Sequence, residues 1–434
     1  MRANPGGQLS PDQVVGRDRL ITNLWRILDR QSLVLSAERR LGKTSILRKM
    51  EAEPHEDWLP IFRDLERVHS PIEFVETVVQ DARTYLGKFK RTAQRISDAL
   101  TALGGTEIGG ILKLPPQAAP QWKMLLTRTI EDLFDEKNER RFVFFWDEVP
   151  LMLGNIKRSA GETVAMEMLD VLRSLRQSNR QIRMVFTGSI GLHNVLTSLK
   201  RAGYANDPTN DMDTVDVPAL VEVDAVNLAA DLLRGERLRA ADLDATASTI
   251  ARQVDCLPYF IHHVVDQLAK RGDEATPALA TSIIDQCLTA PQDPWHLRYY
   301  HERIDTYYLA DERPLALTIL DALAVAETPV SLDDLMSSAS ATLGTIGKEQ
   351  LRSVMTLVQR DHYVVQEATG SYRFRFPLIQ RHWRSIVNGR DGHSGLLPRE
   401  VEPPSARDDR GDVHPAGGMA LSFGLAYPVG RHLY

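Results

Sequence analysis

Gly42, Lys43 and Thr44 stand between an apolar triplet, Leu33, Val34 and Leu35, and a helically spaced set, Ile46, Leu47 and Met50. A lysine and a hydroxyl at the point where a strand turns into a helix suit the binding of a triphosphate. The backbone N–H groups of a helix N-terminus are unpaired and its dipole is positive, so both attract phosphate oxygens. On this reading Ala37, Glu38, Arg39, Arg40, Leu41, Gly42, Lys43, Thr44 and Ser45 form the phosphate loop. Lys43 is expected to reach the β and γ phosphates, and the Thr44 hydroxyl to ligate a magnesium ion. The pattern G-x-x-x-x-G-K-[ST] has Ala37 in place of its first glycine, the smallest departure possible. Taken alone, Gly-Lys-Thr could be a chance turn, so the reading needs a second motif.

That motif lies further along, where Phe142, Val143, Phe144, Phe145 and Trp146 precede Asp147 and Glu148. A continuous apolar run is what a parallel strand buried on both faces requires, and open α/β sheets bind ligands at the carboxyl ends of their strands. Asp147 is therefore expected to organise the metal, and Glu148 to polarise an attacking water as general base. The plainer alternative is a strand that merely ends in solvent, but two motifs in the correct order argue against it. A third run, Ile182, Met184, Val185 and Phe186, leads into Thr187, Gly188 and Ser189. Thr187 or Ser189 could hydrogen-bond a γ-phosphate or the lytic water, although Thr-Gly-Ser is also ordinary turn composition.

With these motifs the chain resembles the AAA+ and STAND-like P-loop ATPases, and more closely their archaeal-type branch, over roughly residues 12–386. The matching segments are V-V-G-R-D at 14–18, R-R-L-G-K-T-S at 39–45, D-E at 147–148 and T-G-S-I-G at 187–191. The resemblance implies ATP with Mg2+, Gly16 and Arg17 near the adenine, and Pro258 of a helical lid beside the nucleotide. Cys256-Leu257-Pro258 stands where the STAND-like pattern has Gly-x-Pro.

The chain has 434 residues and a formal charge of −6, which gives no overall basic field for nucleic acid. Its length calls for more than one domain. Cys256 and Cys287 have neither metal-like nor framework spacing, so a reducing cytoplasm is expected. No apolar stretch is long enough to span a membrane, and the first residues lack the hydrophobic core of a secretion signal.

Alternating strand and helix patterns predict an α/β P-loop NTPase core at residues 12–216, a parallel sheet with flanking helices, after a flexible segment at 1–11. Within it, 102–119 reads as a surface excursion and 201–216 as an exposed, mobile loop. Arg173, Arg176, Arg180 and Arg183 could supply an arginine finger to a neighbouring subunit of a homo-oligomer, or simply form a solvated face. An α-helical lid is expected at 217–300 and a winged helix at 301–387, followed by a disordered tail at 388–434. His262 and His263 read as surface or core residues rather than metal ligands. Lys348, Arg352, Arg360, Arg373, Arg375, Arg381 and Arg384 could line a basic face for double-stranded DNA, though acidic neighbours dilute it.

These features predict an ATP-binding protein, a slow Mg2+-dependent ATP hydrolase that acts as a nucleotide-driven switch on an unidentified protein partner and cycles between ATP and ADP. The alternatives are a DNA-binding regulator or loader resembling origin-recognition ATPases, and a scaffold whose nucleotide is structural.

Overall fold

The computed structural model describes residues 1–86, 106–108, 111–113, 120–133, 141–188 and 191–391. Its strands are β1 (Ser32–Ser36), β2 (Trp58–Asp64), β3 (Thr106–Ile108), β4 (Ile111–Lys113), β5 (Arg141–Asp147), β6 (Ile182–Phe186) and β7 (Met212–Asp216), with a second hairpin further on. Five of these form a sheet in the order β2-β5-β6-β1-β7, with every pair parallel. β3 and β4 pair antiparallel, so the excursion expected at 102–119 contains a hairpin.

Strand alternation divides the apolar side chains between two layers. Val143 and Phe145 of β5 and Val185 of β6 pack on one face, with Leu24, Trp25 and Leu28 of helix α1 (Asp18–Leu28) and Ile46, Leu47 and Met50 of α2 (Lys43–Ala52). Phe142, Phe144 and Trp146, with Met184 and Phe186, pack on the other. They meet α3 (Pro71–Leu86), α4 (Trp122–Glu131), α5 (Val149–Ala160), α6 (Glu162–Ser178) and α7 (Leu192–Arg201). Burial on both faces is why β5 carries no polar residue between Arg141 and Asp147.

The segment at 201–216 departs from expectation, because it carries β7, which pairs with β1 from Ser32↔Met212 to Ser36↔Asp216. The loop before β7 is pinned by Arg176, which donates to both carboxylate oxygens of Asp211 (3.0 and 2.9 Å) and to the Pro208 carbonyl (2.6 Å). Arg183 is likewise spent inside the chain, donating to the carbonyls of Leu28 and Arg180. Neither of these arginines is therefore available as a finger.

Four helices follow the sheet: α8 (Glu222–Gly235), α9 (Leu243–Gln253), α10 (Pro258–Arg271) and α11 (Pro277–Thr289). Then come α12 (Tyr299–Tyr307), α13 (Glu312–Val325), α14 (Leu332–Leu343) and α15 (Lys348–Arg360), the hairpin β8 (Val364–Gln366) and β9 (Tyr372–Phe374), and α16 (Pro377–Asp391). A bridge from Val330, between α13 and α14, to Tyr372 adds to the hairpin. Both groups of helices share one apolar core with α1 and α2. The tail expected at 388–434 falls outside the described residues from 392 onward.

The first residues, expected to be flexible, pack onto α10 and the end of α8. Ala3 N donates to Glu236 Oε1 (2.8 Å) and Asn4 N to His262 Nδ1 (3.2 Å). Among the described residues, no helix is long and apolar enough to cross a membrane.

Candidate functional site

The loop between β1 and α2 turns at two left-handed residues, Arg40 (φ 70°) and Gly42 (φ 88°). A Cβ at Gly42 would meet nothing within 4 Å, so backbone conformation rather than crowding selects glycine there. Ala37 is not among the positive-φ residues, so alanine carries no strain at that position.

Lys43, 7% exposed, donates its ammonium to the carbonyls of Ala37 (2.9 Å) and Glu38 (3.2 Å). Burial pushes its pKa down, against the opposing pull of Glu38, Asp147 and Glu148. At the mouth of α2 the Thr44 hydroxyl donates to Asp147 Oδ2 at 2.5 Å, and Asp147 Oδ1 accepts the Glu148 N–H at 3.1 Å. Burial pushes the Asp147 carboxyl up, opposed by those two hydrogen bonds and by Lys43. Glu148 caps α5 in a left-handed conformation (φ 59°, ψ 32°), which a residue with a Cβ adopts only when its surroundings impose it. Beside it, a Cβ on Gly188 would lie 2.6 Å from Pro150 Cδ and 3.4 Å from Glu148 Oε2. The end of β6 can therefore close on the carboxylate pair only with glycine.

These groups face a cavity of about 410 Å³ lined by Arg39, Arg40, Gly42, Lys43, Thr44, Ser45, Asp147, Glu148 and Pro258. Nine of the residues singled out from sequence are thus brought together. The cavity also takes in Asn4, Gly6, Gly7, Leu9, Glu66, Leu151, Tyr259 and His262, which sequence reasoning did not assign to it. Tyr259 and His262 follow Pro258 on the first turn of α10, and helical spacing from the proline was the available signal. The Arg40 guanidinium lies 3.9 Å from the centre of the Tyr259 ring. His262 is buried and its pKa is pushed down to about 4, so at neutral pH Nδ1 keeps the lone pair that accepts Asn4 N.

Other expected residues lie elsewhere. Leu41 is core. Arg17 is buried behind the loop, donating to the carbonyls of Pro218 (2.8 Å) and Leu41 (3.1 Å), so it braces the segment before α8 against the loop. Gly16 and Arg17 do not line the cavity. Ala37 and Thr187 line a neighbouring cavity of about 30 Å³ with Pro150 and His362. The Thr187 hydroxyl is buried without a hydrogen-bond partner. Ser189 lies outside the described residues. Most of the basic residues considered for DNA are paired: Lys348 with Asp333, Arg352 with Glu349, Arg373 with Glu367, Arg375 with Asp216 and Arg381 with Asp285. Arg384 donates to the Ala324 carbonyl.

No protein-family model and no curated protein matches the sequence. Among solved structures, the chain is similar to the Walker-type ATPase PABY2304 of Pyrococcus abyssi, with a TM-score of 0.59 at 15% identity over 88% of this chain and 100% of that one. It is also similar to the ORC2 protein of Aeropyrum pernix in its ADPNP–ADP complexes, with a TM-score of 0.52 at 12% identity over 90% of this chain and 98% of that one. The fold is therefore that of an α/β P-loop NTPase core, a parallel five-stranded sheet with flanking helices.

Proposed function

We propose that this chain binds ATP with Mg2+ in the 410 Å³ cavity and hydrolyses it slowly, as a conformational switch of the cytosol. The observation that carries the reading is the 2.5 Å hydrogen bond between Thr44 and Asp147 at the N-terminus of α2, with the Lys43 ammonium beside it. A hydroxyl and a carboxylate converging at a helix N-terminus are an oxygen donor set that fits a magnesium ion. Thr44 and Asp147 would hold that ion, which when bound offsets charge on the phosphates.

The other roles follow from placement. Lys43 and the first N–H groups of α2 bind phosphate oxygens. Glu148, held at the strand end by its strained backbone, accepts the proton of an attacking water. Pro258, Tyr259 and His262 form the lid wall, and Arg40, stacked on Tyr259, joins that wall to the loop. Thr187 acts indirectly, its strand end hydrogen-bonded to β5 and α5 through Thr187 N→Trp146 O and Val149 N→Thr187 O.

The test is titration with a fluorescent ATP analogue and Mg2+ beside a phosphate-release assay. Lys43→Ala is expected to abolish binding, and Glu148→Gln to keep it and lose turnover. If Lys43→Ala binds as the parent does, the site assignment is wrong. The DNA-binding alternative has less support, because the pairing of its basic residues leaves little free charge for phosphates.

A further inference from the structure

Three consecutive loop residues reach out to the helices beyond the sheet. Glu38 Oε1 lies 3.1 Å from Arg303 Nη1 of α12, with side chains 2% and 3% exposed. The Arg39 guanidinium stands 4.7 Å from the Tyr299 ring, also in α12, and Arg40 rests on Tyr259 of the lid. Glu38 Oε1 additionally accepts the Arg39 N–H at 2.9 Å, which fixes the side chain against its own loop.

Arg303 does not stop at Glu38. Its Nε donates to the Tyr363 hydroxyl at 3.0 Å and its Nη2 to the Asp361 carbonyl, both at the start of the β8–β9 hairpin. The Tyr363 hydroxyl donates in turn to the Tyr300 carbonyl at 2.6 Å. The Asp361 carboxylate accepts from the Tyr308 hydroxyl (2.7 Å) and from Asn194 Nδ2 of α7 (2.8 Å). One planar guanidinium thus joins the phosphate loop, α12 and the C-terminal hairpin. Burial would lower its pKa, but the carboxylates of Glu38 and Asp361 more than reverse this and hold it above the ordinary value. A buried ion pair is a weak source of stability compared with an apolar replacement, but its fork geometry specifies one arrangement of the parts it joins.

We propose that Arg303 is a positioning residue of the phosphate loop, acting through Glu38, and that this pair links nucleotide in the loop to the docking of residues 301–387. The inference rests on the nucleotide-binding reading above and names its route to the C-terminal module. Lys43 donates to the carbonyls of residues 37 and 38, so a phosphate that draws its ammonium away acts on the peptide whose side chain Arg303 holds. Linkage is reciprocal, so releasing that side chain also weakens nucleotide binding.

The experiment is hydrogen exchange over residues 299–308 and 361–366, with and without the fluorescent ATP analogue and Mg2+, in the parent, Glu38→Gln and Arg303→Met. In the parent, nucleotide is expected to slow exchange in both segments by about fivefold or more, the lower end of ordinary allosteric coupling. Glu38→Gln keeps the size and one acceptor of the side chain and loses its charge. It is expected to bind the analogue about fivefold more weakly and, once saturated, to pass on less than about a twofold change. A saturated Glu38→Gln that slows exchange as the parent does overturns the link and leaves the nucleotide reading intact. So does a parent that binds the analogue with no change in either segment. A parent that binds no nucleotide overturns both. If Arg303→Met does not fold, Glu38→Gln decides the matter alone.

Discussion

Glu148 and Cys256 are both held at left-handed φ, 59° and 56°, where side chains other than glycine are strained, and their surroundings differ in an instructive way. At Glu148 the strain aims a carboxylate into the cavity beside Asp147, with Gly188 closing on it from β6. A Cβ at Gly188 would displace Pro150 and the first turn of α5. Gly188→Ala is accordingly expected to cut phosphate release by about tenfold or more through misplacement of Glu148, with analogue binding within about twofold of the parent. Unchanged turnover would show that this approach does not set the geometry of Glu148. At Cys256 no site chemistry accompanies the strain, and the resemblance has glycine there. Cys256→Gly is expected to raise stability by roughly 0.5–1 kcal/mol in denaturant melts, since strain relief outweighs the added chain entropy. That Lys43, Thr44, Asp147 and Glu148 meet at one cavity was legible in sequence, because strand ends and a helix N-terminus converge at one edge of a parallel sheet. Arg17, Tyr259 and His262 were misplaced or missed, because a brace behind a loop and a wall from a distant helix have no local signature.

Among the elements, β5 and β7 show where sequence patterns succeed and fail. The run Phe142–Trp146 has no solvent face, so only a central strand accommodates it, and Phe145→Ala is expected to cost about 3–5 kcal/mol in denaturant unfolding. β7 reads M-D-T-V-D, an edge strand half in solvent, and its order comes from pairing with β1 and from the Arg176–Asp211 fork in the preceding loop. Such support is invisible in a polar segment. Arg176→Met would leave Asp211 without its partner. Global stability is expected to drop by about 3 kcal/mol, with amide exchange rising across 212–216. A melt unaffected by Arg176→Met would mean that the fork does not hold the edge.

For the whole molecule, Asp255, between α9 and α10, ties that helix pair to α16, its Oδ2 accepting the Leu378 N–H at 2.6 Å. Burial pushes its carboxyl up to about 6, opposed by that hydrogen bond and by Arg381 and Arg373. Because the folded chain holds this proton more tightly than the unfolded one, the contribution to stability is full below about pH 4 and is lost as pH rises through about 6. Asp255→Asn keeps an acceptor and removes the titration. It is expected to be more stable than the parent at pH 7 by up to about 3 kcal/mol and about equal at pH 4, as measured by unfolding at both values. A difference independent of pH would remove Asp255 as the cause. At this scale the sequence by itself determined the parallel core, the turn from β1 into α2 and the carboxylate pair at the end of β5, because strand periodicity and helix-terminus chemistry are local and need only neighbours along the chain. Tertiary structure alone decided that the first residues line the cavity, that Arg17 donates to the carbonyls of Pro218 and Leu41, and that Glu38 meets Arg303 across the fold. Those outcomes depend on burial and on partners far apart in sequence, and no spacing of residues encodes either.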